Sequence, residues 1–81
     1  MNVRLLLFAH LREIVGSSEL HLELEAGSNG IDLLDMLQTD YPDIARHRHY
    51  IKLSMNGDYI EKETALADQA EIALFPPVSG G

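Results

Sequence analysis

Glu19-Leu20-His21-Leu22-Glu23-Leu24-Glu25 sets a polar residue against a leucine at every step, and Gly27-Ser28-Asn29 follows at once. Strict alternation marks a strand with one buried face, here with Leu20, Leu22 and Leu24 turned inward. Beyond the break, Leu33, Leu34, Leu37 and Tyr41 recur at helical spacing, so one apolar stripe of a helix faces the same core. Asn29 is expected to cap that helix, with Asp32 near the positive end of its dipole and Pro42 as its stop.

Upstream, Val3-Arg4-Leu5-Leu6-Leu7-Phe8 is a nearly continuous apolar run, as expected of a central strand buried on much of both faces. Ala9 to Val15 allows about two helical turns, and Gly16 suits a left-handed C-terminal cap. Downstream, Ile51, Leu53 and Met55 alternate with Lys52 and Ser54, a third strand. Asn56-Gly57 is a tight-turn signal leading into a short edge strand, Asp58-Tyr59-Ile60. Glu71 to Phe75 is the last strand. The order β-β-α-β-β-β has no repeat, linker or second domain. It predicts an α+β chain, a mixed sheet of four to five strands with one main helix packed across one face. That is the β-grasp roll, expected over residues 1–75, with 76–81 as an extended tail.

The alternation also assigns faces. Leu5, Leu7, Leu20, Leu22, Leu24, Leu53, Ile72 and Leu74 face the helix, so Leu6, Phe8, Ala73 and Phe75 face away. Two outcomes stay open. Either both phenylalanines form an apolar patch beside the tail, fit for a partner, or the Ala9–Val15 segment folds over them.

Eighty-one residues make one domain near the lower limit for a self-sufficient core, and no cysteine is present to staple it or to carry sulfur. Its longest apolar stretch, Leu5 to Ala9, is too short to span a bilayer, and no signal-peptide pattern opens the chain. The reading is cytoplasmic, with no membrane partner. A formal charge of −7 argues against nucleic acid, which needs a basic stripe. Three of the six basic residues, Arg46, Arg48 and Lys52, fall close together, read as a solvated loop. His47 and His49 flank Arg48; without a third ligand, and beside two arginines, they are expected to hold no metal. His10 and His21 read as surface residues, and Glu19, Glu23 and Glu25 as a solvated strand face.

The chain closes on Pro76-Pro77-Val78-Ser79-Gly80-Gly81. The prolines favour an extended exit from the last strand, and Gly80-Gly81, lacking side chains, can enter a slot that only backbone fits. With Gly81 last, its carboxylate is expected to be free. This ending, with Phe8-Ala9, Leu11-Arg12-Glu13, Gly16, Asp32-Leu33-Leu34, Met55-Asn56-Gly57-Asp58-Tyr59 and Ala73-Leu74-Phe75, resembles the small, sulfur-carrier subunits of molybdopterin synthase. These are ubiquitin-like β-grasp proteins. The likeness covers essentially the whole chain, and Phe-Pro-Pro-Val-Ser-Gly-Gly is its most specific part. Asp68-Gln69-Ala70-Glu71 departs from it, where the family commonly has a glycine-containing acidic turn.

The resemblance implies that Gly81 is the chemical group. A terminal carboxylate, with a pKa of roughly 3.3–3.7, is an anion and a poor electrophile at neutral pH. An E1-like adenylating enzyme would use ATP to convert it to an acyl-adenylate, and sulfur from a donor protein would then replace AMP. Pro76, Pro77, Val78, Ser79 and Gly80 would carry the tip into the large subunit of a heterotetrameric synthase. Leu6, Phe8, Arg12 and Phe75 would lie on the partner surface, although a surface salt bridge is an equal reading for Arg12. No cofactor is expected to be bound, and no complete active site is expected in this chain. Alternatives are a sulfur carrier for thiazole synthesis, against which the Phe-Pro-Pro-Val-Ser tail argues, a ubiquitin-like modifier joined through Gly81, and an interaction module with an incidental tail.

Overall fold

The structure is a computed structural model and describes residues 1–76. Eight elements follow in order: β1 (Asn2–Leu7), α1 (Ala9–Val15), β2 (Glu19–Glu23), α2 (Gly30–Asp40), a 3-10 helix (Pro42–Arg46), β3 (Lys52–Met55), β4 (Asp58–Ile60) and β5 (Glu71–Phe75). The strands form one sheet in the order β2-β1-β5-β3-β4. β1 and β5 run parallel at its centre, and every other neighbour is antiparallel. The expected mixed β-grasp sheet is present with five strands.

Register explains why the two faces differ. Leu5 lies opposite Ile72 and Leu7 opposite Leu74 across β1 and β5, and Leu74 lies opposite Leu53 across β5 and β3. These side chains are essentially inaccessible, as are Leu33 and Leu34 of α2 and Ile44 of the 3-10 helix. One contiguous core results. Each such leucine or isoleucine contributes about 1.5–3 kcal/mol through burial. Leu20 and Leu22 face inward but are only half-buried, because β2 is a sheet edge and has a neighbour on one side alone.

Local signals place the helices. Asn29 caps α2: its side chain accepts from the Asp32 N–H at 3.0 Å, and the Asp32 carboxylate accepts from the Asn29 N–H at 3.0 Å. This reciprocal box satisfies two donors that helix geometry leaves orphaned. Gly30 follows where the helix start is pressed against the sheet. A Cβ there would stand 2.7 Å from a Leu53 methyl and 2.9 Å from the Lys62 carbonyl oxygen. Gly16, at φ 83°, closes α1 in the left-handed conformation expected of it. Asn56 and Gly57 both take positive φ in the β3–β4 turn, as a primed hairpin turn requires.

Two expectations need correction. The Glu19–Glu25 strand ends at Glu23, and the Glu25 carbonyl turns to accept from the N–H and hydroxyl of Ser28. The basic stretch is not a solvated loop throughout. Pro42 opens a 3-10 helix that buries Ile44, and Arg48 is held against α2, donating to Asp35 at 2.8 Å and to Gln38 at 2.9 Å. Its side chain is about three-quarters buried there, with the guanidinium held by these acceptors. Arg46 and Lys52 do remain exposed.

Candidate functional site: an aromatic groove at the root of the tail

The outer face of the sheet ends in a cluster of aromatic rings. Phe8 and Phe75 stack with ring centroids 5.1 Å apart and planes 5° apart. Tyr59 leans on Phe75 at 5.9 Å with a 56° tilt. Offset or tilted pairs of this kind contribute about 0.5–1.5 kcal/mol beyond their buried area. Even so, Phe8 keeps 42% of its surface exposed, Tyr50 63% and Tyr59 76%. Of the two open outcomes the second is not realised: α1 buries Leu11 against the core and leaves Phe8 exposed and Phe75 half-buried on the outer face.

Chain geometry builds this cluster. Phe8 lies one step beyond β1, and Ala9, which opens α1, takes a positive φ of 50°. That turn, unfavourable for a residue with a Cβ, redirects the chain away from the sheet. Phe75 is the last residue of β5 and lies opposite Lys52. Tyr59 lies opposite Ser54, which in turn lies opposite Ala73. The small Ala73 and Ser54, both buried although on the outer face, let larger rings close over them. The Lys62 ammonium fixes the remaining wall, donating to the Arg48 carbonyl at 2.6 Å and the His49 carbonyl at 3.4 Å.

Together Phe8, His49, Tyr50, Lys52, Tyr59, Phe75 and Pro76 line an open groove of about 590 Å³. Pro76, the last described residue, is part of its rim, so the chain continues toward the tail from the groove itself. Leu6 is half-buried on the same face, one register step from the rings beside Ala73. Arg12 is exposed on the last turn of α1, makes no ion pair among the described residues and does not line the groove. Pro77, Val78, Ser79, Gly80 and Gly81 lie outside the described residues. Tyr50, Lys52 and Tyr59 belong to the groove and were absent from the sequence-based partner surface. Tyr59 was legible, because a two-residue Asn-Gly turn places it opposite Ser54; Tyr50 sits in irregular backbone with no periodicity to assign it.

His47 and His49 approach no third ligand: among the described residues no group of three His, Cys, Asp or Glu side chains is arranged to hold a metal. No helix among them is long and apolar enough to cross a membrane.

The model of the ThiS family matches residues 5–81. The chain belongs to the ThiS family. Within it, the molybdopterin synthase sulfur carrier subunit of Arabidopsis thaliana is 32% identical over 81 residues, an alignment spanning 100% of this chain and 84% of that protein. Small archaeal modifier protein 1 from Haloferax volcanii, in its crystal structure, is 31% identical, with 100% of both chains covered and a TM-score of 0.82. A protein–protein complex of subunits 1 and 2 of the molybdopterin-converting factor from Helicobacter pylori contains a chain of the same fold, 20% identical, with 100% of both chains covered and a TM-score of 0.68. These relatives match this chain over all of its length, and the two solved ones share its fold.

Proposed function

We propose that this chain is the sulfur-carrier subunit of molybdopterin synthase. The observation that carries the proposal is the uncovered Phe8–Phe75–Tyr59 groove with Pro76 on its rim. A carrier needs a docking surface that aims its tail into the partner, and an apolar patch beside the tail's root provides one. The relatives named as molybdopterin synthase sulfur carrier subunits, and the two-subunit complex of a protein with this fold, support the same reading.

In this proposal the Gly81 carboxylate attacks the α-phosphorus of ATP on an activating enzyme and releases pyrophosphate. Sulfide from a donor protein then displaces AMP from the acyl carbon and leaves a thiocarboxylate. The large subunit receives the tail and supplies the acid–base groups; the thiocarboxylate sulfur bonds to a carbon of cyclic pyranopterin monophosphate, and water then cleaves the Gly81 acyl–sulfur bond and restores the carboxylate. Positioning is this chain's contribution: the docked domain holds the tip near the acceptor, so a bimolecular sulfur transfer becomes effectively unimolecular. The cytoplasm is the proposed compartment and a heterotetramer the proposed assembly.

Similarity to small archaeal modifier protein 1 favours one second reading, conjugation of Gly81 to lysines of other proteins. Intact-mass analysis of protein isolated with its own sulfuration system separates the two. The carrier reading expects one oxygen replaced by sulfur at Gly81, dependent on ATP. Isopeptide-linked Gly81 without thiocarboxylate would put the modifier reading first.

A further inference from the structure

The sheet has a second feature that sulfur carriage leaves unused: the open edge of β2, across the sheet from β4. The Leu7 N–H donates to the Ser18 carbonyl and the Leu24 N–H to the Met1 carbonyl. Those two bonds frame the β1–β2 register, in which Leu20 and Leu22 lie opposite Leu5 and Val3. Hydrogen-bonded pairs alternate in an antiparallel ladder. The backbone groups of Leu20 and Leu22 therefore point toward β1, and those of Glu19, His21 and Glu23 point outward.

Glu19 is closed to any newcomer. The Ser17 hydroxyl donates to its carbonyl at 2.8 Å and accepts from its N–H at 3.3 Å. The outward N–H and C=O of His21 and Glu23 have no such plug among the described residues. The open edge is thus two residues with a fixed starting point. Beyond it, Glu23, Glu25, Asp32 and Met36 border a hollow of about 440 Å³, which pairs carboxylates with an exposed thioether.

Charge decides the occupant. A second copy pairing antiparallel about His21 would set Glu19 against Glu23 twice, and like charges directly opposite are destabilising. A strand bearing Lys or Arg on alternate residues meets Glu19 and Glu23 on the outer face, while small apolar residues between them extend the row of half-buried Leu20 and Leu22. We propose that the β2 edge is a docking site separate from the aromatic groove, taking an extended basic segment of a partner protein as a sixth strand.

The probe is the blocked peptide acetyl-KVKVK-amide, titrated into the isotope-labelled full chain and followed by amide NMR. The His21 and Glu23 amides should shift saturably and exchange more slowly with solvent, while Phe8, Tyr59 and Phe75 stay in place. A peptide of the same sequence, N-methylated on alternate residues, should bind about tenfold more weakly. His21→Pro, which removes an outward N–H and no ladder bond, should have the same effect. Glu19→Lys with Glu23→Lys should reverse the preference toward acetyl-EVEVE-amide. The proposal is overturned by shifts centred on the aromatic groove, by equal binding of the N-methylated peptide, or by no saturable shift at millimolar peptide.

Discussion

The two ends of the outer sheet face are built from the same strands and behave as opposites. At one end Arg4 pairs with Glu71, the Glu71 N–H donates to Asn56, and the Asn2 N–H donates to Asp68 at 2.8 Å. The Arg4 guanidinium, the Glu71 carboxylate and N–H, and the Asn2 N–H are thus answered within the chain. At the other end Phe8, Phe75 and Tyr59 answer only one another and leave most of the tyrosine in solvent. The two ends of one strand, Glu71 and Phe75 of β5, thus serve different purposes. Polar groups answered within the chain can face water indefinitely, whereas the aromatic end leaves ring surface in solvent, the feature on which the proposed docking rests.

The strongest test acts on the chemistry this contrast directs. Removing Gly81 should abolish molybdopterin formation in a reconstituted synthase while circular dichroism stays unchanged. Activity retained by the shortened protein would sink the carrier reading. Next, two adjacent residues of β5 should separate stability from binding. Leu74→Ala opens a cavity in a fully buried site and should cost about 2–5 kcal/mol in urea unfolding. Phe75→Ala should instead weaken large-subunit binding by about 2 kcal/mol, measured calorimetrically, with a smaller loss of stability. If unfolding shifts strongly and affinity does not, the ring serves the fold.

At the charged end the effects shrink. Arg4→Ala should cost below about 1 kcal/mol of stability, since both partners of its ion pair are well exposed, and should leave large-subunit affinity unchanged. Smallest is the pH effect of Asp68. The Asn2 N–H above all, with smaller help from the amino terminus and Gln69, holds its carboxyl below the ordinary carboxylate range against the opposing effect of desolvation. Because the folded-state pKa is depressed, the stabilisation is present above the unfolded value and is lost as pH falls through the folded one. Asp68→Asn should therefore flatten the acid limb of a stability–pH curve and leave the neutral region nearly level.

Regular elements were legible because their signals are local and repeated. The alternation through Leu20 and Leu22, the Asn29 cap and the Asn56-Gly57 turn each match the structure at the residues that carry them, while Leu24 is buried just beyond the strand's end. Facing assignments for Leu6, Phe8 and Phe75 held for the same reason, since a period of two leaves little freedom once one residue is placed. What escaped depends on tertiary partners. Arg48 looks like a loop cation until Asp35 and Gln38 of α2 come beside it. Ile44 in Pro42–Arg46 carries no periodicity, yet the core claims it. Tyr50 reaches the groove through backbone held by Lys62, a residue 12 positions further along, whose role no local pattern announces.

The parallel pairing at the centre of the sheet bears on how the protein withstands being pulled. β5 is flanked by β1 on one side and β3 on the other, and it runs directly into Pro76. Tension applied beyond Pro76 acts along β5, so it loads two ladders in shear, with many hydrogen bonds resisting together. An edge strand pulled sideways would peel one bond at a time. With its C-terminal exit on an inner strand rather than an edge, the domain resists tension there without unravelling.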